Sequence, residues 1–185
     1  MSSYRFLQYE PSLPKLFEKE EKRLREALGI KPVIEHFGST AVPGLGGKGC
    51  IDIYIVVPKE DMKAVSEKLQ KGVGYEYKKD AGEEGERIFH KKSVLDETGQ
   101  ERTYHVHVTY LGSKNFKECI ALRDYLRAHP DETQRYAEVK RFAVKEANKI
   151  SEKQLAKETY LEVKGGIIKE MTRKALEEFP NVGYL

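Results

Sequence analysis

The residues able to do chemistry gather between Glu35 and Ile53. Five of the chain's 15 glycines lie from Gly38 to Gly49, with Ser39, Thr40 and Lys48 among them. A glycine loop leaves its backbone N–H groups unshielded and open to an anion. Asp52 follows, a lone carboxylate in the apolar run from Ile51 to Val57. In phosphoryl and nucleotidyl transfer, a Gly-Ser turn holds a polyphosphate through amides and a hydroxyl. A carboxylate on the adjacent strand holds the divalent cation that neutralises it. Gly38-Ser39 and Asp52, with twelve residues between them, suit that division of labour. The plainer alternative makes Asp52 a cap for the loop amides. Lys48, between Gly47 and Gly49, is a natural phosphate contact. It does not make a P-loop, because the Gly-Lys-Ser/Thr spacing and the following helix are missing.

Two further groups of residues can face the loop. His105 and His107 are two apart in an alternating segment, so on a strand both rings enter one side. They suit a metal ligand, a general base or a phosphate contact; the alternative is a solvated polar sheet face. Tyr136 and Lys140, Tyr160 and Lys164, and Arg123 and Arg127 each share a helix face at i, i+4. An inward tyrosine carries its lysine toward the core, which is unusual for lysine. Cations turned inward from three helices describe an anion pocket. Snorkelling side chains with surface ion pairs are the alternative, and for Arg127 the preferred one.

These residues need elements to hold them. Met1 to Pro14 reads as an extended entry segment, and Pro11 to Pro14 as a helix start. Leu16, Phe17, Glu20, Leu24 and Leu28 keep helical spacing up to Gly29. Strands are expected over Val33–Phe37 and Ile51–Val57, the second with Ile51, Ile53, Ile55 and Val57 on one face and Asp52, Tyr54 and Val56 on the other. A helix opening at Pro58 and Asp61 closes at Gly72, and a short strand follows at Gly74–Tyr77. Arg87–Leu95 and Glu101–Tyr110 form a hairpin around Asp96–Gly99. From Ser113 the pattern is helical, with a stop at His129-Pro130 and a capping box at Ser151–Gln154. The last helix carries Leu155, Leu161, Ile167, Ile168, Met171 and Leu176. Its Gly165-Gly166 pair suggests close helix contact, a kink or a ligand at the backbone. The expectation is one α/β (α+β) domain over residues 1–185, a mixed sheet of about five strands flanked by helices, with a C-terminal helical subregion.

Composition sets bounds. Charged residues make up 34% of the 185 and apolar ones 39%, which describes a charge-laced globular surface. A net charge of +3 is too mild for the footprint of a duplex nucleic-acid binder. No stretch is long and apolar enough to span a bilayer, and none reads as a signal peptide. Cys50 and Cys119 lack ligand spacing and read as free thiols of a reducing compartment. The expected location is the cytoplasm.

Gly38-Ser39 followed by a strand-borne Asp resembles the nucleotidyltransferase superfamily pattern. The whole loop is more specific. His36-Phe37-Gly38-Ser39-Thr40-Ala41-Val42-Pro43-Gly44-Leu45, then Lys48, then Ile51-Asp52-Ile53, resembles the signature of the GrpB family, which has that fold. Arg87-Ile88-Phe89, His105 to Val108, Arg123 to Arg127, Tyr136 with Lys140 and Tyr160 with Lys164 extend the resemblance over nearly the whole chain. It implies a nucleotide or other phosphorylated small molecule as ligand, held by Gly38, Ser39, Thr40, Lys48, Arg123, Lys140 and Lys164. The residues themselves suit a divalent metal (Mg, Mn or Zn) at Asp52, His105 and His107, with imidazole ligands favouring a transition metal. Asp52 and His107 are the catalytic candidates, His107 being preferred as the deeper of the pair. The chain departs from the superfamily at Tyr54, where a second carboxylate is expected. Nucleotidyl or phosphoryl transfer to a small acceptor is therefore one expectation, and a non-catalytic binding or accessory module on the same fold is the other.

Overall fold

The structure, a computed structural model, describes residues 4–182. The first three residues of the entry segment and the last three of the expected domain lie outside the described residues. Two facts shape the fold. One is the period-two alternation of the central strands. The other is that both faces of those strands are apolar enough to be covered.

The sheet has five strands in the order β1-β2-β5-β4-β3: β1 Val33–Phe37, β2 Ile51–Val56, β3 Glu76–Tyr77, β4 Ile88–Leu95 and β5 Glu101–Thr109. Only β2 and β5 run parallel; the other neighbours are antiparallel. Ile51, Ile53 and Ile55 of β2 and Tyr104, Val106 and Val108 of β5 face one way. They pack against α1 (Leu13–Leu28) and α2 (Met62–Val73). The opposite face carries Asp52, Tyr54, His105 and His107, with Asp52 beside His105 and Tyr54 beside His107 in register. Phe37, Tyr54 and Val56 there meet Phe116 and Ile120 of α3 (Lys114–Ala128). Behind α3 stand α4 (Pro130–Ala147) and α5 (Lys153–Glu178), with Val42 and Leu45 of the glycine loop packed among them.

Some expected details change. Gly72 lies inside α2, and the helix ends at Gly74, whose φ of 74° turns the chain left-handed where a side chain would be strained. Among the described residues of the extended entry segment, Leu7 pairs with Gly47 through both backbone hydrogen bonds, so the segment buckles the glycine loop from outside. The capping box does not form: α5 starts at Lys153 after Glu152, with no side-chain cap. Leu155 and Leu161 are exposed, because the buried stripe of α5 is Ala156, Tyr160, Ile167, Met171 and Ala175. An added Cβ at Gly165 or Gly166 would meet nothing within 4 Å, so the pair marks no close helix contact.

Candidate functional site

The loop after β1 is a folded wall rather than an open strap. A short 3-10 turn, Ser39–Ala41, begins at Gly38. At φ 70°, a side chain on Gly38 would run into the Asp52 carboxylate, so only glycine lets the loop close on that group. Gly47 is constrained in the same way: a Cβ there would meet Lys140 Nζ at 2.5 Å and Ser39 Oγ at 2.8 Å. Part of the expected amide cradle is already committed. The N–H groups of Ala41, Leu45 and Gly47 donate to Gly38, Val42 and Leu7. Thr40 is also spent internally. Its hydroxyl donates to the Cys50 carbonyl at 3.0 Å and accepts from His36 Nε2 at 2.9 Å, tying the two ends of the loop together instead of facing a ligand.

Between this loop, the polar face of β2 and β5, and helices α3 to α5 lies a cavity of about 370 Å³. Gly38, Ser39, Lys48, Asp52, His105, Arg123, Lys140 and Lys164 all line it, as do both cysteines. Its remaining wall is apolar, with Val42, Leu45, Leu126 and Ile168. Eight of the nine residues the sequence nominated without Thr40 thus reach one cavity; the ninth, His107, stands behind it.

The three lysines dominate the electrostatics. Lys140 is 4% exposed and donates to the Gly46 carbonyl. Lys164 lies 4.5 Å from the Tyr160 ring centroid, and Lys48 lies 4.3 Å from the same ring and 4.6 Å from that of Tyr4. Among the described residues, none of the three has a carboxylate within ion-pairing distance. Burial, reinforced by Lys164, pushes the Lys140 ammonium down to about 7. Burial, with Lys48 nearby, lowers Lys164 to about 8. Lys48 is lowered chiefly by burial as well. Cation–π contacts offset only part of that desolvation.

Arg123 is different. Its guanidinium is 10% exposed and donates to Glu35 at 2.6 Å, the His36 carbonyl at 2.9 Å and Asp124 at 2.7 Å. It edges the cavity, but its charge is already matched, so the expected phosphate contact becomes a structural ion pair. Arg127 holds the Ala41 carbonyl and pairs loosely with Asp124, as its preferred reading had it.

The histidines exchange their expected ranks. His105 lines the cavity and places Nδ1 3.1 Å from Asp52 Oδ1. His107 is 6% exposed, and its Nδ1 lies 2.9 Å from Arg87 Nη1. Arginine only donates, so the His107 proton sits on Nε2, which lies 4.0 Å from Asp52 Oδ1 with no hydrogen-bond partner. Burial and Arg87 hold His107 neutral, well below the ordinary imidazole range. The sequence offered Arg87 only as part of the family resemblance; its contact with His107 spans 20 residues and two strands, so no local spacing announces it. Tyr54 is fully buried, stacked on Phe37 with centroids 4.1 Å apart, and its hydroxyl donates to Asn115. The second carboxylate position is therefore closed by an aromatic ring.

This donor set does not fit a resident divalent metal. One carboxylate is present, its Oδ1 engages His105, His107 turns a proton toward it, and three lysines surround it. Among the described residues, no group of three or more His, Cys, Asp or Glu side chains is arranged to hold a metal ion.

A mixed five-stranded sheet with a glycine loop feeding a strand-borne aspartate defines a nucleotidyltransferase-like fold. In agreement, the Cid1 poly(U) polymerase, solved with MgGTP bound, superposes with a TM-score of 0.51 over 77% of this chain and 44% of its own, at 16% identity. That likeness concerns the fold alone. The chain belongs to the GrpB family: the profile of the GrpB protein family matches residues 4–174. A UPF0157 protein of Halalkalibacterium halodurans is 33% identical over 178 residues, covering 94% of this chain and 83% of that protein. The crystal structure of the conserved protein GrpB from Enterococcus faecalis superposes with a TM-score of 0.76 at 25% identity, covering 95% of this chain and 99% of the other.

Proposed function

We propose that this chain binds a nucleotide or another phosphorylated small molecule in the cavity between the glycine loop and α3 to α5. One observation carries the reading: Lys48, Lys140 and Lys164 converge there with no carboxylate within ion-pairing distance, and the single carboxylate lining the cavity, Asp52, matches at most one of the three charges. Buried cations are costly unless matched, and a phosphate group supplies the missing charge. Ser39 adds a hydroxyl, and the apolar wall accommodates the rest of the ligand. Transfer of a nucleotidyl or phosphoryl group to a small acceptor is the finer form of this reading. Tyr54 in place of a carboxylate favours the other form, a binding or accessory module without transfer. A divalent cation enters with the phosphates rather than waiting in a protein cage.

Calorimetric titration with ATP, GTP, CTP and UTP, with and without Mg²⁺, tests the proposal. Saturable binding of at least one is expected, weakened on the order of tenfold or more by Lys140→Gln, as for loss of one charge-assisted contact. No heat of binding from any of the four at millimolar concentration contradicts it.

A further inference from the structure

The Asp52–His105 pair has a geometry that phosphate binding alone does not require. The two residues are neighbours across the parallel β2–β5 ladder, and both line the lysine cavity. Asp52 Oδ1 takes the Nδ1 side of the ring at 3.1 Å. Among the described residues, His105 Nε2 has no hydrogen-bond partner, yet it is not a buried orphan like His107 Nε2, and its ring belongs to the cavity wall. A carboxylate on one ring nitrogen keeps the proton there and leaves the lone pair of the other facing outward. Phe89 fixes the ring plane from the neighbouring strand, with centroids 5.1 Å apart.

The surroundings of Asp52 are close-packed. Gly38 leaves the space that its second oxygen occupies. The His107 Nε2–H stands 4.0 Å from Oδ1, with the ring anchored by Arg87. The cavity wall thus carries both an oriented histidine and ammonium groups, and among the described residues no cluster of metal ligands accompanies them.

Resting on the phosphorylated-ligand reading above, we propose that His105 is the general base of this site and Asp52 its positioning residue. His105 Nε2 takes the proton of an acceptor hydroxyl as that oxygen attacks a phosphorus of the bound ligand. The new O–P bond forms, the P–O bond to the leaving group breaks, and its electron pair leaves on the leaving oxygen. The proton on His105 then passes to that oxygen, or to solvent where the leaving group departs as a stable anion. Lys140 and Lys164 stand over the charge that spreads on the phosphoryl oxygens.

The test uses the full chain, the four nucleoside triphosphates and water as the acceptor, with ³¹P NMR reporting cleavage and calorimetry reporting binding. His105→Gln is expected to slow cleavage about 100-fold or more while leaving the dissociation constant within about threefold. Added imidazole is expected to restore cleavage to His105→Gly, which a merely structural role does not allow. Independently of turnover, long-range ¹H–¹⁵N spectra are expected to show His105 protonated on Nδ1, and Asp52→Asn to abolish that preference. A His105 protonated on Nε2, a triphosphate bound but never cleaved by the wild type, or undiminished cleavage by His105→Gln overturns the dyad and leaves the binding reading standing. Absence of binding to every triphosphate overturns both.

Discussion

At the scale of single residues, the site is a matter of which charges are already matched. Four cationic side chains were nominated for a phosphate, Lys140, Lys164 and Arg123 from i, i+4 spacing on helices and Lys48 from its place on the glycine loop. The structure divides them. Lys48, Lys140 and Lys164 meet with no carboxylate within ion-pairing distance, whereas Arg123 is neutralised by Glu35 and Asp124. No local pattern announces that pairing, since Glu35 lies 88 residues before Arg123. Removing one partner of a buried ion pair strands the other charge, at a cost of roughly 3–5 kcal/mol. Arg123→Met is therefore expected to lose about 3 kcal/mol of unfolding free energy in urea while the folded fraction keeps its affinity for a triphosphate. A stable variant with weakened binding would return Arg123 to the ligand. The histidines teach a related lesson: depth in a strand made His107 the attractive candidate, but depth is what seals it behind Phe37 and Tyr54, and the shallower His105 reaches the cavity.

At the scale of elements, the strands were readable, and the last helix was readable in its extent but not in its cap or its buried face. Period-two alternation in β2 and β5 places Asp52 and His105 on one face whatever the rest of the chain does. Helix α5 buries a stripe that includes Ala156 and Ala175, while Leu155 and Leu161 point outward. Where small residues pack and large ones do not, side-chain size misleads. The same helix tests capping. Ser151 precedes α5 without bonding to its first turn, whereas a working serine cap is worth about 1 kcal/mol. Ser151→Ala is expected to change stability by less than about 0.5 kcal/mol; a loss near the full cap value would show that the box forms in solution.

At the scale of the whole molecule, buried ionisable groups make stability depend on pH from both sides. His36 and His90 are pushed down to about 4, chiefly by burial. The stability they contribute is present above their unfolded value near 6.5 and is lost as pH falls toward about 4. Lys140, at about 7, and Lys164, at about 8, are also depressed in the folded chain relative to 10.5. The unfolded chain therefore binds more protons above pH 7, and stability rises as pH increases toward 10.5. Urea midpoints without ligand are expected to increase from pH 5 to 7 and again from pH 7 to 9. A fall between pH 7 and 9 would mean that the lysines are not desolvated as described. No helix among the described residues is long and apolar enough to cross a membrane. The layered arrangement places the cavity where the polar face of the sheet meets the C-terminal helices.

An anion in that cavity should hold protons on the two lysines that the empty chain releases near neutrality, so its binding should weaken in alkali while the empty protein becomes firmer. The most direct measurement is a calorimetric titration of ATP into the wild-type chain and into Lys140→Gln and Lys164→Gln at pH 7 and pH 9. The expected result is wild-type binding at pH 7 that weakens about tenfold or more at pH 9, with each variant weaker than the wild type at pH 7 and less sensitive to pH. Equal affinity in all three proteins, or wild-type binding that strengthens at pH 9, would contradict the account.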